Sequence, residues 1–299
     1  MEFNKHSGNY VDRSFSSFDR QGKKTIIVDG CSMAGEFLGP ICEPQDKKER
    51  DRFEGGDIGI NLSERFGFNH VGLNFVAKSN CSIFRDTTNF LLNKCGEGKF
   101  SYENLLLVVS WTGLARYSYF NREKMAWEVY HLWKFDVKKD KLHPGKNMDY
   151  HSIIEEYMNR FLYQISVANL CENLGVNYIM YNGCDDITSY KTLDDVPPPL
   201  TGFGWWGGRK IKRYFKSNNF DTTIYDDFDN LYEVLLRKNF LDISCSGYFG
   251  YGGGRYKTDK DKLKKYTFDG LHLNKLGHQE WVEILEDFII EKGMGDFIK

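Results

Sequence analysis

The chain has 299 residues, 41% hydrophobic and 27% charged, and its 40 basic and 42 acidic side chains leave a formal net charge of -2. A chain of that length can bury a sizeable core, so one large domain with insertions is expected. The charge is near neutral and mixed, which removes the electrostatic case for nucleic acid or an anionic membrane as partner, and no run of about 18 apolar residues is present to cross a bilayer.

Residues 1–23 are polar and contain no apolar stretch of signal-peptide type, so they read as an arm ahead of a single domain over 24–299. Next, KTIIVDG (24–30) is a short β-branched run ending in glycine, the form of a buried parallel strand. GINLSERFG (59–67) reads as the end of a helix closed by Gly67, and HVGLNFVA (70–77) as a second strand. In AKSNCSIFRDT, turn chemistry alone would account for the polar groups Ser79, Asn80 and Ser82 at that strand's exit. NLLLVVSW (104–111) is a third strand.

The stretch 149–175 predicts a long amphipathic helix, with Ile153, Ile154, Tyr157, Phe161, Ile165 and Ala168 on one face and Gly175 as its C-cap. VNYIMYNG (176–183) is a fourth strand. From about 185 to 260, glycine and aromatic residues without periodicity read as long surface loops, which inside a compact domain are uncommon unless functional. The last helix, 274–293, carries Trp281, Ile284, Leu285, Phe288 and Ile289 on one face and stops at Gly293. Strands separated by helices predict an α/β protein with a parallel sheet.

Seven cysteines, an odd number and without a C-x-x-C pair, argue against a disulfide framework or a structural zinc site and for a reducing compartment. No G-x-G-x-x-G follows the first strand, which disfavours nucleotide binding.

In an open parallel sheet, ligands sit at the carboxyl ends of the strands. Ser32 follows the first strand by two residues, where a helix N-terminus could stabilise an oxyanion; an N-cap serine is the alternative reading. Cys31 beside it reads as a small buried thiol. After the third strand, Trp111, Thr112 and Arg116 would reach the same edge, with Thr112 either donating to an oxyanion or satisfying a local backbone group. FDGLHLNKLGHQEW (268–281) places Asp269 and His272 on a loop entering the last helix. Ser32, Asp269 and His272 in that chain order fit a serine nucleophile, an imidazole base and an acid that orients it, while the D-x-x-H by itself reads by default as a surface loop with a stray histidine. His278, inside the helix, reads as a packed or capping residue.

Taken together, VDGCSMAG, NFVAKSNCSIFRDT, VVSWTGLAR and FDGLHLNKLGHQEW resemble the blocks of the SGNH (GDSL-like) hydrolase family, above all its divergent, virus-encoded members. The resemblance implies a three-layer α/β/α sandwich with a flavodoxin-like parallel sheet of about five strands. It implies ester hydrolysis without metal or organic cofactor, often of acyl or acetyl groups on carbohydrates or lipids, with Ser32 as nucleophile, His272 as base and Asp269 as its orienter. Ser79, Asn80 and Thr112 would then serve the oxyanion or the substrate. Three positions depart from the family pattern. Gly30-Cys31-Ser32 stands for Gly-Asp-Ser, Ser79 or Asn80 falls near the second-block glycine, and Ser110-Trp111-Thr112 stands for Gly-x-Asn.

The departures leave open a second reading, a catalytically silent module of the same fold that binds a glycan or serves a viral particle. The expected partner is a small-molecule or glycan ester, with Trp205, Trp206, Tyr248, Phe249 and Tyr251 as aromatic platforms for sugar rings or, equally, as loop packing. The protein is expected to be soluble, in the cytoplasm or associated with a virion.

Overall fold

A computed structural model of the protein describes residues 23–31, 34, 58–74, 78–95, 100–113, 116–121, 126–131, 150–183, 231–250, 259–268 and 272–299. The expected arm, most of the expected loop region, Ser32 and Asp269 lie outside the described residues.

Five parallel strands form the central sheet: β1 (Thr25–Gly30), β2 (Asn69–Gly72), β3 (Leu105–Trp111), β6 (Asn177–Asn182) and β7 (Phe240–Ser244). Between β3 and β6 the chain makes an antiparallel hairpin, β4 (Arg116–Asn121) with β5 (Ala126–His131). The sheet order is β2-β1-β3-β6-β7, which with the hairpin set aside is the flavodoxin-like 2-1-3-4-5. In register, Thr25 faces Asn69 on one side and Leu105 on the other, and Gly30 faces Ser110.

β1 and β3 are buried along their whole length, which is why each carries an unbroken apolar run, Ile26–Val28 and Leu105–Val109, rather than an alternating pattern. Their side chains divide by parity. Ile27, Leu107, Val109 and Trp111 pack with Ile83 and Phe90 from helix α2 (Asn80–Asn89) and its continuation, and with Phe161, Val167, Ala168 and Cys171 from helix α3 (Tyr150–Leu174). Ile26, Val28, Leu106 and Val108 pack with Ile58 and Leu62 from helix α1 (Ile58–Phe66) and with Trp281, Leu285, Phe288 and Ile289 at the other end of the chain. Helices therefore cover both faces, and the architecture is a three-layer α/β/α sandwich.

Three elements were not expected from the sequence. Helix α2 occupies a stretch read as turn chemistry, the hairpin follows a strand read as ending at the sheet edge, and β7 lies inside the stretch read as loop. Helical residues 231–236 precede β7, and the one-turn helix α4 (Cys245–Tyr248) and helix α5 (Lys260–Tyr266) follow it. Helix α6 (Lys275–Ile289) closes the fold as expected.

Candidate functional site

The carboxyl ends of β1 and β3 lie side by side, and the approach is too close for a side chain at Gly30. A Cβ there would lie 2.7 Å from both Cβ and the carbonyl oxygen of Ser110. Glycine at this position lets the strand exit sit against β3. Cys31 follows, fully buried, and its carbonyl accepts from the Ala34 N–H at 2.9 Å, closing a tight turn. The burial agrees with the reading of Cys31 as a core thiol.

Across from this exit stands the first turn of α2. Ser79 is its N-cap, with Oγ accepting from the Ser82 N–H at 3.2 Å. Its hydroxyl is thereby engaged in holding the helix start. Asn80 is fully buried, and its Oδ1 accepts from the Thr112 N–H at 3.0 Å. That bond assigns the amide: the backbone donor of Thr112 requires the oxygen, so the nitrogen points elsewhere. Asn80 Nδ2 is buried without a hydrogen-bond partner among the described residues. A buried, unused donor costs about 1–3 kcal/mol unless something fills it. The structure thus brings Ser79, Asn80 and Thr112 together at one edge, and Thr112 contributes its backbone to positioning Asn80. Trp111 instead turns into the core against α3, and Arg116 opens β4.

His272 sits in a short reversal between α5 and α6. Phe268 donates its N–H to the His272 carbonyl at 3.1 Å, Thr267 and Leu273 form a single antiparallel bridge, and the Phe268 and His272 rings stack at 5.7 Å. Asn274 clamps both helices: its Oδ1 caps α6 through the Gly277 N–H at 3.0 Å, and its Nδ2 donates to the Lys265 carbonyl at 2.9 Å. Leu273, next to His272, belongs to the same buried cluster as Cys31 and Ala34, the residues that bracket the β1 turn.

His278 packs inside, as expected. Burial first, and then the nearby His272, lower its pKa to about 4. In the unfolded chain it would titrate near 6.5, so folding is opposed by proton uptake as pH falls. This contribution is intact above pH ~6.5, loses about 2 kcal/mol by pH 5 and is lost further as pH falls through about 4. Thermal melts of the wild type and His278→Gln at pH 7 and pH 5 should show a smaller acid-induced drop in Tm for the variant. Equal drops would mean that His278 is already charged in the fold.

A charged group in an apolar strand was not weighed in the sequence, and Asp29 is one. It is fully buried, and it is met by Lys78, Thr87 and the Gly30 N–H. Burial pushes its pKa up to about 7 against the opposing pull of Lys78. The signal was present: an acid inside TIIVDG must find a partner, because an isolated buried charge is prohibitive.

For two of the aromatic residues the packing alternative holds. Phe249 is fully buried, stacked edge-on by Tyr248 at 4.9 Å and close to Trp281 at 6.0 Å. Tyr248 donates to Glu280 at 3.1 Å and carries the Lys262 ammonium over its ring at 3.9 Å. Phe249 fills space between α4 and α6 and offers no ring face to a sugar, and Tyr248 beside it is half-buried. Trp205, Trp206 and Tyr251 lie outside the described residues. Among the described residues there is no group of three or more metal-ligating side chains, and no helix is long and apolar enough to cross a membrane.

No family model and no curated protein matches the sequence. Solved structures similar to it include a Bacteroides fragilis protein assigned as an acylhydrolase, at 10% identity over 97% of this chain and 96% of that one, with a TM-score of 0.42. They also include Est24, a carbohydrate acetylesterase from Sinorhizobium meliloti, at 10% identity over 90% and 99% with a TM-score of 0.38. A third is Axe2, an acetylxylan esterase from Geobacillus stearothermophilus, at 9% identity over 89% and 94% with a TM-score of 0.39. The fold follows from the strand order and registers of this chain, and at these identities no residue role passes from one chain to another.

Proposed function

We propose that the protein is a serine ester hydrolase of SGNH type, with Ser32 as nucleophile, His272 as base and Asp269 as the acid that orients the imidazole. One observation carries the reading: Asn80, held by the Thr112 N–H, has a buried amide donor with no partner among the described residues, beside the strand exit that leads into Ser32. In acyl transfer the largest single stabilisation comes from preorganised donors at the developing oxyanion. Asn80 Nδ2 would supply the side-chain donor that the third block lacks, acting with the Ser32 N–H.

In this reaction Ser32 Oγ attacks the ester carbonyl and gives its proton to His272. The tetrahedral oxyanion accepts from the Ser32 N–H and Asn80 Nδ2. Collapse breaks the bond to the alcohol oxygen, which takes the proton back from His272. Water, deprotonated by the same imidazole, then attacks the acyl-enzyme and releases the carboxylic acid and free Ser32. No metal or cofactor takes part. The substrate class is a small acyl ester, with acetyl on a carbohydrate as the first choice, in line with the motif resemblance.

A second reading, a silent glycan-binding or virion module, is favoured by the third-block position, where Thr112 spends its N–H on Asn80. Turnover separates the two. The purified chain should release nitrophenol from p-nitrophenyl acetate and acetate from an acetylated xylo-oligosaccharide, and His272→Ala should lower both rates about 100- to 10,000-fold. Equal rates in wild type and His272→Ala would remove the imidazole from the mechanism, and no turnover of either ester by a folded wild type would favour the silent module.

A further inference from the structure

The site reading leaves one built feature unused, the buried charge cluster behind it. Asp29 Oδ1 accepts from the Gly30 N–H at 2.7 Å and from Lys78 Nζ at 2.5 Å, and Oδ2 accepts from Thr87 Oγ1 at 2.8 Å. Lys78 Nζ also donates to the Leu73 carbonyl and pairs with Asp86, both at 2.9 Å, so all three of its protons are committed. Arg85 meets the other oxygen of Asp86 at 3.1 Å. Asp29 and Lys78 are 0% and 4% exposed, so solvent does little to screen the pair.

The chain positions of the two partners give this cluster its meaning. Asp29 precedes Ser32 by three residues on the β1 exit, and Lys78 precedes Asn80 by two, next to the N-cap Ser79. Thr87 ties the same carboxylate to the last turn of α2. Strand exit and helix start are therefore joined by a saturated polar bridge with fixed directions. For stability alone, an apolar pair of the same volume would serve as well or better. Directional bonds add a defined distance between the two ends.

We propose that Asp29, Lys78 and Thr87 form a positioning bridge that sets the β1 exit, from which the chain enters Ser32, against the first turn of α2 and its Asn80 amide. The catalytic consequence rests on the ester-hydrolase reading; the mechanical coupling of the two segments does not. Asp29 and Lys78 are positioning residues and touch no substrate.

Hydrogen exchange of the full-length protein tests the coupling without reference to turnover. In Asp29→Asn, amides of 28–31 and 78–82 should both exchange about 10-fold or more faster, while β3 and β6 keep wild-type protection. Thr87→Val, which removes one bond and no charge, should shift the same two segments in the same direction by less. If Asp29→Asn does not fold, Thr87→Val and the double variant Asp29→Asn/Lys78→Met, which buries no lone charge, decide the matter. The double variant should regain the wild-type Tm yet keep kcat about 100-fold low with KM nearly unchanged, as expected of misplaced reacting groups. Wild-type exchange at both segments in the folded variants overturns the bridge. Recovery of both Tm and kcat in the double variant would make the pair merely structural. Should the wild type show no ester turnover, the exchange experiment still stands on its own, and only the catalytic reading fails.

Discussion

Ser32→Ala is expected to lower kcat for ester hydrolysis by about 1000-fold or more while leaving the melting temperature within about 2 °C of the wild type. The size follows from the role. A nucleophile removed from a triad takes the covalent route with it, and what survives is the contribution of binding and oxyanion donors to attack by water. The small structural effect follows from the neighbours: the exit is held by Gly30 against Ser110, by Cys31 in the core and by Asp29 below. Cys31→Ala is the matched control, since the thiol is buried and should cost stability through a small cavity but not kcat. Full turnover in Ser32→Ala, with loss in Cys31→Ala, would transfer the nucleophile to the thiol.

The second large effect is expected at Asn80. Removing one preorganised oxyanion donor typically costs about 100- to 1000-fold in kcat, with little change in KM because the ground-state carbonyl uses the donor weakly. Asn80→Ala should fall in that range, although it also releases the Thr112 N–H from its partner. Asn80→Asp is the sharper variant. It keeps an oxygen for Thr112 and replaces only the free nitrogen, and a negative charge at the start of α2 is compatible with the helix dipole. Its kcat should drop at least as far as that of the alanine variant, because an oxygen now faces the developing negative charge. Near-wild-type turnover in folded Asn80→Asp would show that the amide nitrogen has no part in the reaction.

The central fold was legible because β1, β3 and β6 are covered on both faces, which forces unbroken apolar runs such as LLLVV and YIMY. β7 was not legible for the opposite reason. It is an edge strand of five residues, buried only at its two ends, with Asp242 at its middle and a glycine- and aromatic-rich stretch after it. Helix α2 hid itself through chemistry. One of its buried positions is Thr87, which faces a carboxylate rather than a hydrocarbon core, so the apolar stripe of NCSIFRDTTN is thin. Ser79 was the usable signal, a capping serine three residues ahead of Ser82.

At the site itself, the residue types were legible and their division of labour was not. Ser79, Asn80 and Thr112 stood out as polar groups at strand exits, but only the fold shows that Thr112 presents Asn80 and that Ser79 holds the helix. For Phe249 the sequence left sugar platform and packing equally open, because an aromatic beside glycines fits both until its cluster with Trp281 and Tyr266 is seen.

The most direct measurement is labelling of the purified full-length protein with a fluorophosphonate, with the adduct located by peptide mass spectrometry and Ser32→Ala and His272→Ala run alongside. An activated serine gives a single phosphonyl adduct on Ser32 in the wild type, none in Ser32→Ala and much slower labelling in His272→Ala. A folded wild type that stays unlabelled, or carries the adduct elsewhere, contradicts the assignment of Ser32 as an activated nucleophile.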